Sequence, residues 1–329
     1  MIGTGTQTVP GGERFLIIKA KGGLGNRMLS ALTGLAVAEL TGRIPIIDWR
    51  DGMYAPLGVN AYPLLFDAGD MPSPDMLDGR TDVAPAIWAG RLERHPVDMI
   101  CEYHPTKHSD PFIYRKYCVD LARLDETAPV AVFWSYLPKL PRLRRALARD
   151  PRFRGKSLDT IASHFIDRFF RPNTRVRETV AALFEGRDRP VIGVHIRYTD
   201  RKSPLPVIKH ELAKMRARLP ASPIFLATDN GAVQKEMKGE FDNIFIIDKF
   251  MAESGALHLA TEGQDMVTEA ENALIDMWAL AACDMLIHSR HSTFSIAAAL
   301  IGAIPKARQV DVERHNPKIV FKRFVQNYI

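Results

Sequence analysis

Four short runs of β-branched and large apolar residues recur through the second half of the chain, at 191–196, 224–227, 244–247 and 285–287. Between them lie stretches with helical apolar spacing at 208–218, 233–239 and 267–282. This alternation predicts a doubly wound parallel sheet, because parallel neighbours need a crossover long enough to hold a helix. The first half opens the same way. Residues 15–20 read as a buried strand, and the glycine-rich loop Lys21-Gly22-Gly23-Leu24-Gly25-Asn26-Arg27 follows. Residues 28–40 then carry a helical stripe and 44–48 start the next strand, which completes a βαβ unit. Residues 51–150 are rich in Pro and yield one clear strand, 130–134, before helices at 158–170 and 174–184. At 329 residues the chain exceeds what one core usually serves, so two domains are expected. We place a loose tail at 1–13 and the two domains at 14–186 and 187–329, with the last helix packing back on the first domain.

Several function classes fall away on composition. Cys101, Cys118 and Cys283 are odd in number and show no metal-ligand spacing, so three reduced, mostly buried thiols are expected rather than disulfides or zinc. The N-terminus has no apolar signal core and no run of 18 apolar residues occurs, which points to a cytoplasmic protein. A net charge of +6 favours anionic partners. The densest basic run, Lys139 to Lys156, interleaves apolar residues and offers a peripheral contact for the inner membrane face. No nucleic-acid-binding module accompanies it.

Ligands of open α/β sheets bind beyond the carboxyl ends of the strands. Three such ends are unusually polar: Arg197-Tyr198-Thr199-Asp200-Arg201, Thr228-Asp229-Asn230, and His288-Ser289-Arg290-His291-Ser292-Thr293. Arg197 offers a permanently charged fork of donors suited to phosphate oxygens. Ser292 or Thr293 is placed to cap a helix over 294–301, whose first amides favour an anion. On the helix 267–282, Glu269, Asn272 and Asp276 share a polar face, and Asp276 is flanked by apolar neighbours, which suggests a half-buried, paired carboxylate. A diphosphate held by arginine and helix amides fits this set. No Asp-x-Asp pair is present for Mn²⁺ or Mg²⁺, so no metal is expected.

The string Gly193-Val-His195-Ile-Arg197-Tyr-Thr199-Asp200 resembles the His-x-Arg-Arg-x-Asp motif of the α1,2-, α1,6- and protein O-fucosyltransferases. Phe225-Leu-Ala-Thr228-Asp229, Ala273-Leu-Ile-Asp276-Met and Ser292-Thr-Phe recur in the same order. Asp48-Trp-Arg50 with Asn60-Ala-Tyr-Pro63 is similar to the rhizobial nodulation branch, the NodZ type. The resemblance spans most of 14–300 in ordered blocks.

It implies a GT-B enzyme with two Rossmann-like domains facing a cleft, the first on the acceptor side and the second holding the nucleotide sugar. The activity implied is that of an inverting, metal-independent hexosyltransferase moving L-fucose from GDP-fucose to an oligosaccharide or lipid-linked glycan, α1,6 in type. By position, Arg197 would contact the β-phosphate and Asp200 would share the catalytic string. His195 and Tyr198 would shape the donor site, and Asp229 and Asp276 would lie near the nucleoside. Ser292 and Thr293 would meet the phosphates, and Gly23, Gly25 and Asn26 would close over the donor. Tyr198 stands where the motif has a second arginine, for which Arg201 or Lys202 is a replacement. No residue is identified as the catalytic base. The alternatives are an α1,2-fucosyltransferase of surface polysaccharide synthesis, suited by Gly22-Gly23-Leu-Gly25-Asn26, and a non-catalytic GDP- or glycan-binding protein. A nicotinamide enzyme is disfavoured because the first loop lacks a full G-x-G-x-x-G.

Overall fold

The computed structural model describes residues 12–106, 110–199, 201–247 and 265–321. Two compact units divide the described residues: 12–22 with 26–170, and 23–25 with 171–321. Each is built on its own parallel sheet.

The first unit contains β1 (Phe15–Lys19), α1 (Leu24–Thr41), β2 (Ile44–Asp48), α2 (Tyr62–Leu65), β3 (Val83–Ala84), α3 (Pro96–Tyr103), α4 (Pro111–Lys116), β4 (Val130–Trp134), α5 (Arg144–Arg149) and α6 (Leu158–Phe169). The strand order is β2-β1-β4-β3. Strand β1 is central, with Ile17 opposite Ile46 on one side and Val132 on the other. Side chains alternate across a strand, so Phe15 and Ile17 enter a core with Trp88, Met99 and Ile113, while Ile18 faces α1 at Gly34. Helix α1 begins at Leu24 rather than at 28 as expected, so Gly25 already lies in its first turn.

Little of 51–150 was legible because side-chain bonds, not periodicity, build it. Arg50 ties β2 to Asp75 and Asp78 at 2.5 and 2.7 Å, and Arg43 reaches the Glu126 carbonyl at 2.6 Å. The basic run at 139–156 turns its large apolar side chains into the protein. Its Leu140, Leu143, Leu147 and Phe153 are buried in the protein, and Arg152 pairs with Asp150 and Glu39. Among the described residues no helix is long and apolar enough to cross a membrane.

The second unit runs through α7 (Thr174–Phe184), β5 (Ile192–Ile196), α8 (Leu205–Arg218), β6 (Ile224–Thr228), α9 (Gly231–Glu240), β7 (Ile244–Phe245), α10 (Met266–Ala281), β8 (Met285–His288), α11 (Thr293–Ile301) and β9 (Gln309–Asp311). The strands are ordered β7-β6-β5-β8-β9 and all pair in parallel. Ile192, Val194 and Ile196 pack with Ile208 and Leu212 of α8 and Val233 and Met237 of α9.

Helix α7 belongs to this unit, because Asn173 and Arg175 bond the buried Glu271 of α10 at 2.6 and 2.7 Å. The division therefore falls at Phe170/Arg171, earlier than the expected 186/187. The expected return of the last helix lies outside the described residues, as do residues 1–11 of the tail. Of the thiols, Cys283 is buried and Cys118 partly so, but Cys101 is exposed, which corrects the expectation that most are buried.

Candidate active site

In the second sheet the strand order reverses between β5 and β8, since the chain runs from β5 outward to β6 and β7 and then returns to the other side of β5. Such a reversal opens a crevice at the carboxyl ends of the two strands. Arg197 leaves β5 there, and the turn Ser289–Thr293 leaves β8 into α11.

The Arg197 loop is held by its neighbour strand. Asp229, just past β6, accepts the Tyr198 amide at 2.7 Å through one carboxylate oxygen and the Thr199 hydroxyl at 2.7 Å through the other. The Arg197 carbonyl takes the Ser203 amide at 2.9 Å, and Ser203 Oγ accepts the Arg197 amide at 3.2 Å. Asp229 therefore braces the loop that carries Arg197. Each of its two oxygens accepts one bond from that loop, from Tyr198 and from Thr199. The expected catalytic partner Asp200 lies outside the described residues.

His195 is buried, and its ring stacks on Phe294 of α11 at 5.2 Å with the planes 20° apart. Alternation along β5 explains this, because Gly193 and His195 face away from the core under α8 and α9. Tyr198 packs its ring against that core and under Lys202 Nζ, 5.6 Å from the ring centroid.

Neither proposed replacement for the missing arginine points to a free cation. Arg201 is held by both oxygens of Glu313 at 2.7 Å, and Lys202 stands over Tyr198. Ser289 also donates to Glu313, and Asp311 accepts the Arg290 amide at 3.1 Å. Strand β9 and these two carboxylates thus fix the turn after β8. They were missed because a three-residue strand carries no periodic signal.

Ser292 occupies the N-cap position of α11 without capping it through its side chain. Its Oγ is buried and has no hydrogen-bond partner. A buried hydroxyl left unmade costs free energy unless a ligand or water engages it, and here it lies beside the unbonded first amides of a helix. Thr293 is the first helical residue. Asp276 is only 4% exposed in α10, deeper than the half-buried place expected from its apolar flanks.

Gly23 and Gly25 group with this second unit, whereas Asn26 belongs to the first. A Cβ on Gly25 would fall 2.5 Å from the Phe294 amide nitrogen, so only glycine fits against the start of α11. Among the described residues no three His, Cys, Asp or Glu side chains are gathered as metal ligands.

The first unit holds a second polar centre. Arg27 is fully buried, donates to the Gly22 carbonyl at 2.7 Å, and pairs with Asp51 at 2.5 Å between the rings of Trp49 and Tyr54. His95 bonds the Ala20 carbonyl at 2.9 Å, and burial pushes its pKa below the ordinary value. Asn60 accepts the Trp49 amide at 2.9 Å and donates to the Ile47 carbonyl at 2.8 Å, which gives the Asp48–Arg50 and Asn60–Pro63 strings a structural purpose.

The family model described as Nodulation protein Z (NodZ) matches residues 158–323, a span that contains the whole crevice. A Nodulation protein Z of Azorhizobium caulinodans is 26% identical over 303 residues, covering 83% of this chain and 84% of that protein. Its counterpart from Bradyrhizobium diazoefficiens is 25% identical over 303 residues, covering 84% and 75%. A crystal structure of NodZ alpha-1,6-fucosyltransferase soaked with GDP-fucose superposes with a TM-score of 0.61 at 24% identity, over 89% of this chain and 93% of that one. That likeness establishes the fold as the α/β, GT-B arrangement of two parallel-sheet units.

Proposed function

Because this chain belongs to the Nodulation protein Z (NodZ) family, we propose that it is a fucosyltransferase taking L-fucose from GDP-fucose to the primary 6-hydroxyl of a glycan. The observation that carries the reading is the crevice at the β5/β8 reversal, where Arg197 and the buried, unpartnered Ser292 hydroxyl stand at a helix N-terminus. Donors in that arrangement suit a diphosphate and, more than the ground state, the charge that grows on it as it departs.

In the proposed reaction the acceptor oxygen forms its bond to fucose C1 from the face opposite GDP. The C1–O bond to the β-phosphate breaks, its electron pair leaves with GDP, and the acceptor proton passes to a base. Arg197 stabilises the leaving β-phosphate. Asp229 serves through Arg197 by fixing its loop, and His195 with Phe294 sets the floor of the site. Arginine and helix amides take the part a metal plays elsewhere, so chelation by EDTA should leave the rate unchanged. The NodZ family match favours α1,6 transfer over the α1,2 alternative.

Thermal-shift comparison of GDP, UDP, ADP and NAD tests the donor: GDP alone should stabilise the protein. Arg197→Ala should lower transfer by about 10²- to 10³-fold, the usual effect of removing a donor aimed at developing charge. Equal stabilisation by all four nucleotides, or wild-type transfer by Arg197→Ala, would overturn the assignment. GDP binding without turnover on any glycan would instead favour a non-catalytic binding protein.

A further inference from the structure

The first sheet has its own reversal of strand order, between β1 and β4. The chain leaves β1 as Ala20-Lys21-Gly22 and leaves β4 as Ser135-Tyr136. These two exits flank the place where a doubly wound sheet binds ligand.

What stands there is an aromatic platform. Lys21 Nζ lies 5.6 Å from the Tyr114 ring centroid and 5.7 Å from that of Tyr136, and 3.4 Å from the Tyr114 hydroxyl. Tyr114 packs on the buried Trp134 with centroids 4.8 Å apart. Tyr136 is 41% exposed although it follows a fully buried strand. Gly22 backs its ring: a Cβ there would fall 2.7 Å from Tyr136 Cε2, and the Gly22 φ of 78° is a conformation that favours glycine. Arg27 holds the Gly22 carbonyl from beneath. The exposed ring is thus braced by Gly22, and a primary ammonium stands over it.

The face of an aromatic ring is electron-rich and takes up polarised C–H groups, whereas an ammonium donates to hydroxyls. A pyranose presents both, C–H bonds on its face and hydroxyls around its rim. We infer that Tyr136 and Lys21 form an acceptor subsite in the first unit, with one hexopyranose ring of the acceptor glycan stacked on Tyr136 and a hydroxyl of that sugar bonded to Lys21. The inference rests on the function proposed above. The braced ring needs no ordering on binding, which favours affinity.

The experiment uses the full chain, GDP-fucose, and two soluble tetrasaccharides with free 6-hydroxyls, chitotetraose and cellotetraose. Binding is read by saturation-transfer NMR and transfer by initial rates. Tyr136→Ala should weaken binding or raise the KM of the better tetrasaccharide by about tenfold, while the KM for GDP-fucose and GDP affinity stay within about twofold. Tyr136→Phe should keep wild-type behaviour because the ring, not the hydroxyl, does the stacking. Lys21→Met should show a smaller loss that Lys21→Arg recovers.

The subsite is overturned if neither tetrasaccharide contacts the wild-type protein, if Tyr136→Ala leaves acceptor KM unchanged, or if Tyr136→Phe fails as badly as Tyr136→Ala. Loss of GDP affinity in Tyr136→Ala would also overturn it, by moving the residue to the donor. Failure of the donor reading is separate, since it appears in GDP selectivity of the unaltered protein.

Discussion

Asp229 illustrates how much of the site rests on residues that need not touch a ligand. Its two oxygens hold the amide after Arg197 and the hydroxyl of Thr199. Hydrogen bonds to a charged group contribute roughly 1.5–3 kcal/mol each. Asp229→Ala should therefore loosen the Arg197 loop and raise the KM for GDP-fucose by about tenfold or more, and Thr199→Val, which removes one bond, should do about half of that in free energy. Steady-state kinetics with the double variant checks it: the two changes must be strongly non-additive if both act through one loop.

His95 permits a prediction on pH. Burial lowers its pKa from an ordinary 6.5, so the folded protein holds it neutral where the unfolded chain takes up a proton. Its contribution to stability is fully present above about 6.5 and is lost as pH falls through the depressed folded value. Urea unfolding should show a decline from pH 7.5 to pH 5.5 that is shallower in His95→Asn, a residue able to keep the N-cap of α3. Equal declines in both proteins would refute the assignment.

At the scale of elements, much was legible because periodicity survives where a segment is buried on a regular face. Strands at 44–48 and 130–134 and the helix at 174–184 fall where the sequence places them. What escaped reading is what periodicity does not carry: the two-residue β3, the three-residue β9 and the side-chain-bonded segment between Arg50 and β4. In the crevice, Arg197 and Ser292 were readable from residue type at strand ends, but the attachment of Arg201 to Glu313 was not, since it joins positions far apart in sequence.

Close packing of elements gives the prediction proper to this scale. A Cβ on Gly302, just past α11, would lie 2.1 Å from the Ala281 carbonyl oxygen at the end of α10, a backbone atom with nowhere to move. On Gly34 of α1 it would lie 2.8 Å from side-chain atoms of the buried Ile18 and Phe133, which rotate to relieve a clash more readily than a backbone carbonyl does. Overpacking typically costs 1–3 kcal/mol, and Gly→Ala in a helix recovers about 1 kcal/mol. Gly34→Ala should then be mildly destabilising, by about 1 kcal/mol, and Gly302→Ala should cost about 3 kcal/mol or more. Denaturant midpoints at unchanged slope would measure both, and the reverse order would sink the packing argument.

At the scale of the whole molecule, two units with separate sheets and separate cores allow the proposed donor site, in the second, to be tested apart from the first. Of the four tryptophans, Trp49, Trp88 and Trp134 lie in the first unit and are buried, while Trp278 lies on α10 in the second. In a Trp278→Phe variant, tryptophan fluorescence therefore reports the first unit alone, whereas far-UV circular dichroism reports both. A ligand that binds only the folded second unit stabilises it by about 2.7 kcal/mol at a hundred times its dissociation constant. Saturating GDP should then raise a dichroism transition by several degrees and leave the fluorescence transition where it was. If fluorescence moves as far as dichroism, either GDP engages the first unit or the two units unfold as one. Repeating the melt with a bound tetrasaccharide in place of GDP separates those cases, because the acceptor subsite lies wholly in the first unit and should move fluorescence first. Coupled unfolding would move both signals together with either ligand.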